Sequence, residues 1–142
     1  MSRILSVNNL TVHFHTEAGI VRALEDVSFS IEEGEVLGLV GETGCGKSVT
    51  ALSVMGLLPV PPGKILGGTI EFGGRDLLSL NSEEMRALRG KDLAMIFQDP
   101  MSSLNPVFTA GFQVEEAIVA HEPGASGRSL LSRVVGLFKK VN

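Results

Sequence analysis

Residues 36–58 constrain this 142-residue chain more than any other stretch. Val36-Leu37-Gly38-Leu39-Val40 is continuously apolar, the pattern of a strand covered on both faces in a parallel sheet. Gly41-Glu42-Thr43-Gly44-Cys45-Gly46-Lys47-Ser48 comes directly after it. From Lys47 to Leu58 the apolar residues Val49, Leu52, Met55 and Leu58 recur at three-residue steps, which predicts a helix stopped by Pro59, Pro61 and Pro62. The unit is strand, glycine-rich loop, helix, and the loop has the spacing G-x-x-x-x-G-K-[ST].

Each residue type in that spacing has a physical task. Gly41, Gly44 and Gly46 permit positive φ and keep side chains out of the path of a phosphate chain, while successive amides and the positive end of a helix favour an anion. Lys47 is expected to reach the β and γ phosphates of a nucleotide, and the Ser48 hydroxyl to ligate Mg²⁺. Glu42, Thr43, Cys45 and Val49 complete the residues expected to line the nucleotide. Ordinary residue frequencies would produce the pattern in about one chain in a hundred, and the flanking strand and helix make accident rarer still. The bland alternative is a glycine-rich turn with an exposed lysine.

Ahead of this unit, Ile4 to Phe14 reads as a strand (Leu5, Val7, Leu10, Val12, Phe14). Thr16 to Gly19 reads as a turn and Ile20 to Leu24 as a second strand. Val27, Phe29 and Ile31 alternate with Ser28 and Ser30, and Glu32-Glu33-Gly34 makes the next turn, so about residues 1–35 form an antiparallel β region. After the unit, Thr69 to Phe72 is a strand with a tight turn at Gly73-Gly74. Asn81 and Glu84 are a capping pair opening a short helix that Arg86, Arg89 and Gly90 close. Leu93 to Phe97 reads as a buried strand, Gln98 to Gly111 as loop, and Gln113 to His121 as helix. Gly124 to Gly127 breaks the chain before a last helix from Ser129 to Lys140.

Composition excludes several classes. A content of 44% hydrophobic and 20% charged residues is that of a core-forming globule, and a net charge of −4 without a basic stripe argues against nucleic acid as a partner. No apolar run approaches the ~18 residues of a membrane span, and no signal-peptide core succeeds Met1-Ser2-Arg3, so membrane association is expected to go through a partner. The single cysteine, Cys45, forms no internal disulfide and fits a reducing compartment, so cytoplasm is the expected location. His13, His15 and His121 are too scattered for a metal site, and Glu32, Glu33 and Glu35 read as a solvated turn.

Ala23-Leu24-Glu25-Asp26-Val27-Ser28-Phe29, together with Gly34 to Gly41, resembles the lead-in to the phosphate loop of ABC transporter ATPases. Met95-Ile96-Phe97-Gln98-Asp99-Pro100-Met101-Ser102-Ser103-Leu104-Asn105-Pro106 is similar to the Q-loop region of ABC importers for dipeptides, oligopeptides and nickel. The match runs from about Leu5 to His121. The resemblance implies that Gln98 touches Mg²⁺ and the attacking water, acting with Lys47 in catalysis, and that the loop after Gln98 senses a membrane partner. Residues 91–111 are then the Q-loop region and 112–142 the start of the family's helical region. The bland reading of Gln98 is a polar residue at a strand end, bonded to backbone. Phe14 stands where the family stacks an aromatic ring on adenine, although the alternation of its strand equally suits a core position. Cys45 is either a reactive thiol whose alkylation blocks the nucleotide or an inert filler.

The chain departs from the family beyond the Q-loop. An apolar strand ending in Asp and then Glu is not found, nor is L-S-G-G-Q, nor a late histidine; Leu93 to Phe97 with Gln98-Asp99 after it is only a decoy, and Asp99 is given no catalytic role. The expected fold is therefore α/β: a P-loop NTPase core with an N-terminal antiparallel β subdomain, truncated before the signature helix and the Walker B strand. The expected function is that of the ATP-binding subunit of an ABC transporter, or its N-terminal fragment, binding MgATP to power import of peptides or nickel. Its partners would be a second ATPase subunit, transmembrane permease subunits and, indirectly, a substrate-binding protein, with the chain peripheral on the inner face of the cell membrane. The alternative is a noncatalytic nucleotide-binding or interaction fragment. A P-loop kinase or GTPase is disfavoured, because such enzymes lack the Phe97-Gln98-Asp99-Pro100 loop and the guanine-reading N-K-x-D is absent.

Overall fold

A computed structural model describes residues 2–100, 103–122 and 124–141; Met101 and Ser102 of the Q-loop stretch lie outside the described residues. The chain divides into two units, Met1–Arg86 and Ala87–Asn142.

In the first unit, strands β1 (Arg3–Thr16), β2 (Gly19–Glu32), β3 (Gly63–Phe72) and β4 (Arg75–Asp76) form an antiparallel sheet in the order β2-β1-β3-β4. Strand β1 is central because it carries the most apolar face: Val7, Leu10 and Val12 are fully buried, as is Ile70 of β3. A two-residue period cannot put Val7 and Leu10 on one face, so an extra residue must be absorbed between them. Asn9 takes it up at φ 50°, and Asp26 of β2, at φ 54°, lies at the next register shift, between the pairs Leu10–Val27 and Val12–Leu24. Their side chains bond to each other, Asn9 N–H donates to Ser28 Oγ at 2.8 Å and Asp26 N–H donates to Thr11 Oγ1 at 3.2 Å. Strand β2 thus runs unbroken through the stretch that its sequence divides in two. Strand β3 begins six residues before the predicted Thr69, since Gly67-Gly68 sits at a register shift against β1 rather than at a turn.

Helix α1 (Lys47–Val54) is shorter than predicted. The left-handed Gly56 ends it before the prolines can, its N–H donating to Ser53 O at 3.1 Å while Leu57 N–H donates to Leu52 O at 2.8 Å. Helix α2 (Ser82–Leu88) has the predicted cap: Asn81 Oδ1 accepts from the N–H groups of Glu83 and Glu84 at 2.9 and 3.0 Å, and Glu84 Oε2 accepts from Asn81 N–H at 2.8 Å.

Two predicted strands are not formed. Residues 36–40 take up no regular structure, and Val36 and Val40 are 95% and 93% exposed, the reverse of a strand covered on both faces. A buried parallel strand needs hydrogen-bonded neighbours, and among the described residues none pairs with this segment. Leu93 to Phe97 makes one isolated bridge, Arg89 to Leu93; Leu93 is buried but Ile96 is 89% exposed.

The second unit contains helices α3 (Ala110–His121) and α4 (Gly127–Val141). Thr109 Oγ1 accepts from Phe112 N–H at 3.2 Å, so α3 starts a turn before the predicted Gln113. Arg133 of α4 bonds both carboxylate oxygens of Glu122, which holds the Glu122 carboxyl below its usual range. No helix among the described residues is long and apolar enough to cross a membrane.

Candidate functional site

The glycine-rich loop is anchored from both ends. At its far end Gly46 forms the N-cap of α1 with φ 95°. A Cβ there would lie 2.5 Å from Leu24 Cδ2 and 2.7 Å from Ala23 O, so the loop closes directly on β2. At its near end Gly41 has φ 154°, and a Cβ would meet Cys45 Sγ at 2.5 Å. Cys45 N–H donates to Glu42 O at 3.3 Å, tightening the bend between them.

Lys47 reaches back across the loop. Its Nζ donates to Gly41 O at 2.7 Å and Glu42 O at 2.6 Å, with Cys45 Sγ at 3.4 Å. Two carbonyl dipoles therefore hold the ammonium over the loop. Behind it the first turn of α1 has no side-chain cap and no acidic residue, which leaves its amides and the positive end of the helix dipole turned toward the same space. The buried Thr50 secures that turn, its Oγ1 and N–H both donating to Gly46 O, at 3.0 and 2.9 Å. Ser48 is exposed and Val49 half-buried, while Glu42, Thr43, Gly44 and Cys45 are exposed. Ammonium, amides and hydroxyl make a donor set suited to a phosphate chain and, through Ser48, to a hard cation that accompanies it.

Phe14 is half-buried in β1, opposite Val21 of β2 and Gly63 of β3. Leu24, which touches the Gly46 position, lies three residues beyond Val21 on β2, about 10 Å at strand rise. Ring and loop thus share one strand as their support. Gln98 lies in the second unit and is exposed, with no strand before it.

In the first unit, the seat of Gly46 on Ala23 and Leu24 carries no local sequence signal. In the second unit, neither does Gln113, whose amide bonds Asn105 and Phe108. The start of α3 is legible in Thr109, a good N-cap residue, although the periodicity alone places it later.

The exposed Cys45 thiol gives a direct probe of the loop. Alkylation with N-ethylmaleimide puts a bulky group beside Lys47 and is expected to abolish MgATP binding, while prior MgATP slows the reaction. Unchanged affinity after complete alkylation would make Cys45 an inert filler.

Comparison with known proteins identifies the family. The family model described as ABC transporter matches residues 24–134. A probable peptide ABC transporter ATP-binding protein of Sinorhizobium fredii is 52% identical over 118 residues, covering 83% of this chain and 35% of that protein. The dipeptide transport ATP-binding protein DppD of Escherichia coli is 45% identical, covering 97% of this chain and 42% of that protein. The oligopeptide transport ATP-binding protein OppD of Bacillus subtilis is 47% identical, covering 99% and 39%. The chain thus spans about two fifths of the length of the curated relatives it matches. Among solved structures, the dimeric post-hydrolysis state of the ATP-binding cassette MJ0796, bound to ADP and Pi, superposes with a TM-score of 0.77 at 26% identity over 96% of this chain and 56% of that one. The α/β fold is that of an ATP-binding cassette, and the chain belongs to the ABC transporter family.

Proposed function

We propose that this chain is the nucleotide-binding part of an ABC ATPase subunit that binds MgATP to power peptide import through a membrane permease. The observation that carries the proposal is the Lys47 ammonium, held by Gly41 O and Glu42 O over a glycine loop at the start of α1. In this reading the loop amides from Gly41 to Val49 wrap the phosphates, Lys47 neutralises the β and γ phosphates, and Phe14 receives the adenine. Ser48 would hold Mg²⁺, which would offset phosphate charge when bound with ATP. The family resemblance assigns Gln98 to the attacking water, and hydrolysis would further draw on an Asp and a Glu that the loop does not supply. The relatives' names favour peptides over nickel as the cargo. The dimeric MJ0796 cassette supports pairing with a second ATPase subunit, and a permease partner would hold the chain at the inner face of the membrane.

The test is uptake of a radiolabelled dipeptide by vesicles reconstituted with the chain, its permease and its binding protein. MgATP-dependent uptake with phosphate release is expected where the subunit also carries the carboxylates and the L-S-G-G-Q segment that hydrolysis draws on, which this chain lacks. MgATP bound without phosphate release, in the presence of the permease, would identify a noncatalytic nucleotide-binding subunit instead.

The role of Phe14 has its own measurement. Phe14→Ala is expected to weaken MgATP roughly five-fold, the scale of one lost aromatic stack, while leaving inorganic triphosphate unaffected. Equal losses for both ligands would make Phe14 a core residue.

A further inference from the structure

Strand β2 departs from its pairing with β1 on either side of Leu24. Ala23 is the extra residue between the pairs Val12–Leu24 and His13–Arg22, and Glu25 and Asp26 together face Thr11 between the pairs Leu10–Val27 and Val12–Leu24. A bulge interrupts the ladder and bends the strand, so backbone bonds alone do not fix this segment. Side chains of β1 hold it instead. Asn9 Nδ2 donates to Asp26 Oδ1, Thr11 Oγ1 accepts from Asp26 N–H at 3.2 Å, and His13 Nε2 lies 3.0 Å from Glu25 Oε1. The bond from Asn9 also supports Asp26 at φ 54°, a left-handed conformation that is costly for a side chain without a local partner. The segment held in this way is the one on which the phosphate loop rests, since Ala23 O and Leu24 Cδ2 are the atoms that a Cβ on Gly46 would meet. The bulge at Ala23 is the seat of the loop, and Glu25 and Asp26 are the residues by which β1 grips it.

We infer that Asn9 and Asp26 are positioning residues for the phosphate loop: their bond fixes the bulged segment of β2 and so places Gly46, and with it the Lys47 ammonium and the first amides of α1. The positioning stands on the geometry of the sheet; its effect on binding rests on the proposed nucleotide site.

Exchanging donor and acceptor across the pair, in the whole chain, tests this. Asn9→Asp sets two carboxylates against each other, Asp26→Asn keeps an amide-to-carbonyl bond, and the double variant remakes the bond in the reverse sense; Asn and Asp both tolerate a positive φ. In Asn9→Asp, affinity for MgATP and for magnesium tripolyphosphate is expected to fall by the same factor, about ten-fold, while Asp26→Asn and the double variant stay within about two-fold of the wild type. Without nucleotide, exchange of Thr50 N–H, which donates to Gly46 O at 2.9 Å, is expected to rise in Asn9→Asp and to return in the double variant, with Met85 N–H of α2 unchanged. A pair that only stabilises the fold would lower the urea midpoint, raise exchange at Thr50 and Met85 alike, and leave the affinity of the folded chain as it was. That result, or no recovery in the double variant, would overturn the inference. Should Asn9→Asp fail to fold, Asn9→Gly removes the side chain where positive φ is allowed, and the same readouts decide. A wild-type chain that binds no MgATP would remove the functional proposal, while exchange at Thr50 would still decide whether the pair positions the loop.

Discussion

Lys47→Ala is expected to lower MgATP affinity about a hundred-fold, the loss of one or two charge-assisted bonds to phosphate at ~1.5–3 kcal/mol each. The fold should survive. The Lys47 partners Gly41 O and Glu42 O lie in an exposed loop, where water can replace the ammonium. The effect should track phosphate charge, large for ATP and ADP and absent for adenosine. Titration calorimetry of the three ligands, with circular dichroism to monitor folding, checks this. A similar loss for adenosine would mean that Lys47 supports the loop rather than binding phosphate.

Gly46→Ala should strike stability and binding together. The position has φ 95°, where a side chain is strained, and its Cβ would come within 2.7 Å of Ala23 O, a backbone atom of β2 that cannot swing aside. Strain and displacement together should cost on the order of 3 kcal/mol, seen as a lower urea midpoint, and the shifted loop should no longer bind MgATP. Gly38→Ala is the control, since a Cβ at Gly38 meets nothing within 4 Å and its φ is not positive. Equal urea midpoints for the two variants would show that Gly46 does not seat the loop on β2.

What the sequence discloses is local in origin. The loop is legible because glycine, lysine and serine act within eight residues, and the Asn81–Glu84 cap because its bonds close within one turn. The β1–β2 hairpin is legible through alternation, but the bulge at Asn9 is not, because absorbing a residue is decided by the partner strand. Residues 36–40 and 93–97 show the converse. An apolar run states a demand for burial, while pairing depends on distant neighbours, so Val36 and Ile96 stand exposed here. Within the candidate site, the donors of the phosphate loop are readable in advance. The seat of Gly46 on Ala23 is not, since its partner is a backbone atom that only the path of the chain brings near; in the second unit the same holds for the bonds of Gln113 to Asn105 and Phe108.

The most direct test of the central claim, that Gly41 to Ser48 is a MgATP site, is calorimetric titration of MgATP into the wild-type chain and into Lys47→Ala. Saturable binding of one nucleotide per chain, weakened about a hundred-fold by the substitution, is the expected result. No binding to the wild-type chain, or equal affinity in the two proteins, would contradict it.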